Sequence, residues 1–472
     1  MTASLGRRVS RRGFISTAAA AALGTAASRG GASERPNVLI VFPDQWRRQA
    51  LSCNGDPVVR TPNLDRLAAE GVNFQRCYTN NPVCSPARAT ILTSRYPHQT
   101  GMVQNNVLLG LSEKTLAQSL RSAGYDTGYI GKWHLDGPPR PGFVEPGPHR
   151  RGYDSFEGFN RGHWYHDAQY FSNDGELIKP DVFESFYQTD LAIQFMKRRR
   201  SKPFYLFLAW GPPHTPYQPP EEFDRFTATD LEWRPNVPEA LRGDERTPRE
   251  LCGYYGLCET LDHEMGRMLK FLDESGVAEN TLVLFTADHG DCHGSHGLYR
   301  KGHAEEESVG IPLIARLPGV IARGARPNTV ISLIDVMPSL LALCGVEAPP
   351  TMEGRDLSAA FRGETVSDAP IYIEGRMTRL HLPKANENVT GERYGAWRAI
   401  VTREHKLAIS FDGEVRLVTD LEKDPYELEN LAHRAEASAL QRDLLASLRE
   451  IGRRTGDPFP EPVAAAATGS EE

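Results

Sequence analysis

The chain has 472 residues, 40% of them hydrophobic and 24% charged, and a formal charge of −7. That balance fits a folded globular protein with one large domain, or a large and a small one, and excludes a disordered or low-complexity chain. An acidic body excludes general nucleic-acid binding, so an anionic ligand would have to be held by local cations.

Residues 1–33 read as a twin-arginine export signal. Ser10-Arg11-Arg12-Gly13-Phe14-Ile15 precedes an apolar run, Phe14 to Ala27, and small residues lead out of it before Glu34. The run is too short and too alanine-rich to span a bilayer, so no membrane span is expected and the predicted location is periplasmic or extracellular. Removing this leader takes the basic count from 54 to 49 against 61 acids, a charge of −12. Residues 34–365 are expected to form a large α/β domain, 366–460 a small C-terminal α+β subdomain, and 461–472 a disordered tail.

Four apolar runs lead directly into polar residues able to do chemistry. Asn37–Phe42 runs to Asp44 and Gln45, and Asp126–Ile130 to Lys132 and His134. Phe204–Leu208 runs to His214, and Thr281–Thr286 to Asp288 and His289. Such runs read as strands buried on both faces of a large, mostly parallel central sheet flanked by helices. Ligands of such sheets bind off the carboxyl ends of the strands, so one rim would receive all these side chains.

The spacing predicts helices over Thr115–Ala123, closed by Gly124, and Val330–Leu343, closed by Gly345. Thr247-Pro248-Arg249-Glu250 reads as a capping box opening a helix to about Ser275, with Gly276 ending it. The Pro-rich stretch 138–148 is expected to be a surface loop. After residue 365 the pattern turns antiparallel: Ile371–Glu374, Trp397–Thr402, His405–Phe411 and Glu414–Asp420, with Asp412-Gly413 as a hairpin turn. The seven cysteines (53, 77, 84, 252, 258, 292 and 344) are odd in number and share no spacing. They are expected to be mostly unpaired and buried.

Asp44, Gln45 and Asp288 offer oxygens, and His289 an imidazole, to a divalent cation. Each alone also fits an ordinary strand-end turn. Arg88, Lys132, His134, His214 and Lys301 fall at predicted strand ends or helix starts. Singly they read as surface or loop residues; together they suggest an anion site. A helix from Pro86 to Ser94 would aim its N-terminal amides at that anion. Cys292, His293 and His296 form a weaker zinc alternative.

With Cys84-Ser85-Pro86-Ala87-Arg88 added, the chain resembles the formylglycine-dependent sulfatases of the alkaline-phosphatase-like superfamily. The likeness extends through Pro43-Asp44-Gln45, the stretch Ser94 to Gly101, Gly131-Lys132-Trp133-His134 and Pro213-His214-Thr215-Pro216. It continues in Ala287-Asp288-His289-Gly290-Asp291, Lys301 and the closing run Asp420 to Leu431. The resemblance implies that a maturation enzyme converts Cys84 to formylglycine. It also implies that Asp44, Gln45, Cys84 so modified, Asp288 and His289 hold one divalent cation, most often calcium. Gln45 stands where the commoner pattern has a second aspartate, and His289 where many relatives have asparagine, which leaves manganese or another cation open.

In the implied mechanism a hydroxyl of the hydrated aldehyde, activated by the metal and Arg88, attacks sulfur. Lys132 and Lys301 neutralise the sulfuryl oxygens, His214 or Lys301 protonates the leaving alcohol, and His134 deprotonates the second hydroxyl to expel sulfate. The implied substrate is a sulfate ester, with a carbohydrate as the expected carrier. A phosphodiesterase or phosphonate monoester hydrolase on the same scaffold is the alternative. Loops 102–110, 138–170 and 376–395 are expected to choose the substrate. Their candidates are Trp164, Tyr165, Tyr170, Phe171, Arg161, His163, His166, Arg379 and His381, which would suit a sulfated sugar or loop packing. Asn105 and Asn106 would either reach the sulfate or cap a turn.

Overall fold

The computed structural model describes residues 35–198, 201–376, 396–410 and 413–457. The predicted leader, the tail, Asp412, and Arg379 and His381 lie outside them.

Five strands run parallel at the centre: Thr281–Thr286, Asn37–Val41, Phe204–Ala209, Asp126–Lys132 and Ser155–Phe159, side by side in that order. Every residue of Phe204–Ala209 and Thr281–Thr286 is buried, as apolar runs covered on both faces must be. Antiparallel strands finish both edges, Leu313–Arg316 and Val72–Asn73 on one side and Tyr170–Phe171 and Leu177–Ile178 on the other. The sheet is therefore mixed, with a parallel centre.

Register is what matters for function. Val41 sits opposite both Leu208 and Phe285, and Ile130 opposite Leu208. The four chains thus leave the sheet from one row, and Asp44, Lys132, His214 and Asp288 all follow within a few residues. An isolated parallel bridge between Asp44 and Pro213 ties two of these exits together.

The helix predicted over Thr115–Ala123 forms between those two caps, whereas the one predicted from Val330 starts only at Leu333, because Ile331–Ser332 pairs as a strand with Cys77–Tyr78. Thr115 caps Leu116–Ser122 through a box with Gln118, and Ser332 caps Leu333–Leu343 through a box with Asp335. The long helix, Arg246–Ser275, ends at Gly276 with φ 73°. Its predicted Thr247 box is not formed. Thr247 lies inside the first turn, where its amide and hydroxyl both donate to Asp244, and Glu250 pairs with Arg246 and Arg300 instead. Gly253 on this helix permits a close approach, since a Cβ there would lie 2.2 Å from the Tyr217 carbonyl.

The four-stranded antiparallel sheet follows chain order: Ile371–Arg376, Ala396–Val401, His405–Ser410 and Val415–Asp420. Gly413 adopts φ 84° and its amide donates to Ser410, as the hairpin requires. Some of its side chains, Ile371, Ile373 and Trp397 among them, pack with Tyr78, Ala304, Val309 and Val330 of the main body. Others pack against Leu444 and Leu448 of the C-terminal helix Ser438–Thr455. All seven cysteines are free; Cys53 and Cys252 are half-buried and the others buried.

Candidate active site

The helix Cys84–Thr93 begins at Cys84 itself, two residues earlier than the sequence predicts. Its N-terminus lends partial positive charge to residue 84. The Ser85 amide is not offered to an anion, because it donates to Asn105 Oδ1 at 2.9 Å. Asn105 is thus a cap, and Asn106 takes a positive φ of 66° beside it.

Arg88, one turn after Cys84, shares its helix face. Its guanidinium donates to Asp44 Oδ2 at 3.0 Å, Asp288 Oδ2 at 3.3 Å and the Lys132 carbonyl at 2.9 Å. Lys132 Nζ donates to Asp44 Oδ2 at 2.5 Å. Around Cys84 Sγ stand Lys301 Nζ at 3.2 Å, His289 Nε2 at 3.4 Å and Asp44 Oδ1 at 3.6 Å. The structure therefore gathers Asp44, Cys84, Arg88, Lys132, Asp288, His289 and Lys301 into one buried cluster.

Charge is unbalanced there: three cationic side chains face two carboxylates. Burial opposes ionisation of Asp44, yet Lys132 and its cationic neighbours hold that carboxyl well below the usual carboxylate range. Burial and the adjacent Asp44 charge push Asp288 up to about 6. Burial pushes His289 down to about 4, so its ring is neutral at pH 7. The His289 Nδ1–H donates to the Gly290 carbonyl at 2.9 Å, which leaves the Nε2 lone pair facing the cluster.

His134 and His214 flank the cluster. Burial, with Lys132 and Arg88 nearby, lowers the pKa of His134 well below 6.5. Its Nε2 lies 3.5 Å from Asn106 Oδ1, and its buried Nδ1 has no partner among the described residues. His214 is likewise kept neutral, by burial first and then by His163 and Lys301. Its Nδ1–H donates to the Thr215 carbonyl at 2.8 Å.

His163, which the sequence suggests as a substrate contact or a loop-packing residue, turns inward. Its ring stacks on His214 with centroids 3.8 Å apart, and its Nε2 lies 3.5 Å from Lys132 Nζ. Tyr165 is also structural, its hydroxyl donating to the His214 and Gly211 carbonyls. Tyr170 is buried against Gln188, and Phe171 packs on Phe143. Exposed His166 Nε2 lies 3.0 Å from the Gln218 carbonyl.

The orientation of Gln45 also depends on residues that the sequence does not single out. Its amide nitrogen donates to Asp291 at 2.6 Å and to the Tyr217 hydroxyl at 3.0 Å, so its Oε1 faces Lys301 at 2.9 Å. Tyr217 and Asp291 are themselves hydrogen-bonded, and Arg300 donates to Tyr217. The zinc alternative does not assemble. His296 gathers with Glu307 and Glu427, while His293 lies beside Asp291.

The donors fit a divalent cation. One ligand atom each from Asp44, Cys84, Asp288 and His289 lies within 4.8 Å of the others, all buried. The Lys301 ammonium already rests among three of the expected ligands, touching Gln45 Oε1 and Cys84 Sγ with Asp44 Oδ1 at 4.0 Å. These atoms attract positive charge. Among the described residues no helix is long and apolar enough to cross a membrane.

The sulfatase family profile matches residues 36–346, and a profile for the C-terminal part of N-sulphoglucosamine sulphohydrolase matches 294–454. An ulvan-active sulfatase from Formosa agariphila is 32% identical over 90% of this chain and 82% of its own length. The crystal structure of a protein named as the sulfatase yidJ from Bacteroides fragilis superposes with a TM-score of 0.81 at 26% identity, over 91% of this chain and 98% of that one. A phosphonate monoester hydrolase from Agrobacterium radiobacter shares the fold, with a TM-score of 0.72 at 23% identity over 89% and 96% of the two chains. With a family profile spanning the parallel sheet and the buried cluster around Cys84, the chain belongs to the sulfatase family.

Proposed function

We propose that the protein hydrolyses the sulfate ester of a carbohydrate to an alcohol and inorganic sulfate, with residue 84 matured from cysteine to formylglycine by a separate enzyme. The convergence of Lys301, His289 and Asp44 on the N-terminal residue of a buried helix carries this reading. The ulvan-active relative supports a carbohydrate carrier. A divalent cation on Asp44, Gln45, Asp288, His289 and residue 84 would supply the Lewis acid, and the aldehyde at 84, once hydrated by water to a geminal diol, would supply the nucleophilic hydroxyl. Calcium is the first candidate and manganese the second, because one carboxylate fewer and one imidazole more make the donor set less hard.

The chain's own residues do the rest. Arg88, held by both aspartates, fixes the direction from which residue 84 approaches sulfur. Lys132 and Lys301 neutralise charge on the sulfuryl oxygens in a site closed to water. Lys301 carries a proton for the departing oxygen. His214 is the second candidate for that step, and its neutral ring has first to acquire a proton. His134 keeps an unpartnered Nδ1, which suits it to accept a proton from residue 84 as sulfate leaves. Residues 1–33 would send the protein through the twin-arginine route to the periplasm or beyond.

The fold shared with a phosphonate hydrolase, together with Gln45 and His289, keeps a phosphodiesterase as the second reading. Parallel assays on an aryl sulfate and an aryl phosphodiester separate the two, with the sulfate turned over faster. Peptide mass spectrometry across residue 84 of protein made beside a maturase should show the aldehyde. An intact thiol in fully active protein would remove this mechanism.

A further inference from the structure

A second cationic patch adjoins the site and takes no part in the chemistry above. Arg140 and Arg161 have no carboxylate within ion-pair distance among the described residues, although the chain as a whole carries −7. The Arg140 guanidinium lies 4.5 Å from the centre of the Trp164 ring. Arg161 Nε donates to the Pro138 carbonyl at 2.9 Å, and its amide to the Pro141 carbonyl at 3.0 Å. These bonds fasten the loop carrying Arg140 to the loop carrying Arg161 and Trp164. Arg161 feels the result, since partial burial and then the Arg140 charge lower its pKa.

The Trp164 ring is seated by a glycine: a Cβ on Gly162 would lie 2.3 Å from the indole. Between them in sequence, His163 turns the opposite way, onto Lys132 and His214. One short segment, 161–164, therefore reaches into the cluster with one side chain and builds an aromatic and cationic shelf beside it with the others. Two guanidiniums without carboxylate partners, on loops fastened to each other, favour an anion beside them, and a guanidinium matches carboxylate or sulfate geometry. An indole plate suits the apolar face of a sugar ring.

We propose that Arg140, Arg161 and Trp164 form a second subsite, which binds an anionic group (carboxylate or sulfate) on the sugar next to the one bearing the scissile sulfate. The inference rests on the sulfatase reading and narrows its substrate to a polyanionic carbohydrate.

The test uses Arg140→Gln, Arg161→Gln and the double variant of the matured, metal-loaded enzyme. Substrates are three disaccharides sharing one scissile sulfate, whose neighbouring sugar is neutral, a uronate or sulfated. The wild type should favour one or both anionic neighbours by about tenfold or more in kcat/KM, carried by KM. The double variant should lose that preference, with a loss on the neutral disaccharide at least threefold smaller. The uronate and sulfate arms identify the anion. Equal losses on all three substrates, or no preference in the wild type, would overturn the subsite. Should the wild type turn over none of them, the sulfatase reading fails by itself. Calorimetric binding of the same disaccharides then decides the subsite: weaker anionic binding by about tenfold in the double variant supports it, and unchanged binding overturns it.

Discussion

Two of the buried charge clusters among the described residues are built on opposite principles. At the junction with the four-stranded sheet, Lys406 Nζ donates to Glu306 at 3.1 Å and Glu427 at 2.7 Å, and Arg48 donates to Glu306 at 2.5 Å. Glu427 also accepts the Glu306 amide and the Thr419 hydroxyl. Two acids meet two bases there. At the active site three cations face two carboxylates, while His289 Nε2 and His134 Nδ1 keep lone pairs in reserve. A balanced cluster holds the fold together, whereas an unbalanced one is completed by something from outside.

The comparison can be broken at either end. Lys406→Met should cost about 3–5 kcal/mol in urea unfolding, because it leaves Glu427 buried without a counter-charge and only Arg48 facing Glu306. The kcat of the protein that remains folded should stay near wild type. A stability loss under 1 kcal/mol would mean that the junction is wetter than it looks.

Lys301→Gln should do the reverse. Removing the third cation should lower kcat roughly 10²–10³-fold in an aryl sulfate assay, while unfolding free energy stays within about 0.5 kcal/mol or rises. Large destabilisation would show that Lys301 is a structural ion like Lys406.

The smallest effect concerns pH. Glu307, beside the junction, accepts from Arg234 at 2.9 Å and Asn236 at 2.8 Å. Burial opposes its ionisation, but Arg234, His296 and the Asn236 bond win and bring its pKa to about 2. A carboxyl depressed below its unfolded value of 4.5 adds stability that is complete above pH 4.5 and is lost as pH falls toward 2. The loss should be about 3 kcal/mol by denaturant titration. Glu307→Gln should flatten that part of the profile, and parallel slopes for the two proteins would contradict the assignment.

Much of the candidate site was legible because four of the five parallel strands are apolar runs followed within a few residues by a candidate side chain, while the fifth, Ser155–Phe159, was not picked out. Asp44, Lys132, His214 and Asp288 could be picked out before any register was known. The antiparallel edge strands were not, since two residues such as Val72–Asn73 are too few to show a period. Nor was the true cap of the long helix. Thr247 and Asp244 compete within three residues, and the Thr247 hydroxyl is also engaged at 2.6 Å by Tyr299, a contact across 52 residues of chain.

His163 shows the same limit inside the site. Its loop reads as a surface feature rich in aromatics, and nothing local says that one side chain in it turns inward. Gln45 is a second case, because its orientation is set by Tyr217 and Asp291, 172 and 246 residues away.

By itself the sequence determined four of the five central strands and the residues at their ends, and it singled out Cys84, because hydrophobic runs and short motifs are written in adjacent residues. Tertiary structure alone decided which cations face which acids, that His163 stacks on His214 beside Lys132, and that Arg161 fastens its loop to the one carrying Arg140. Those facts depend on distances between segments far apart in the chain, which only the parallel register and the packing of long loops can set.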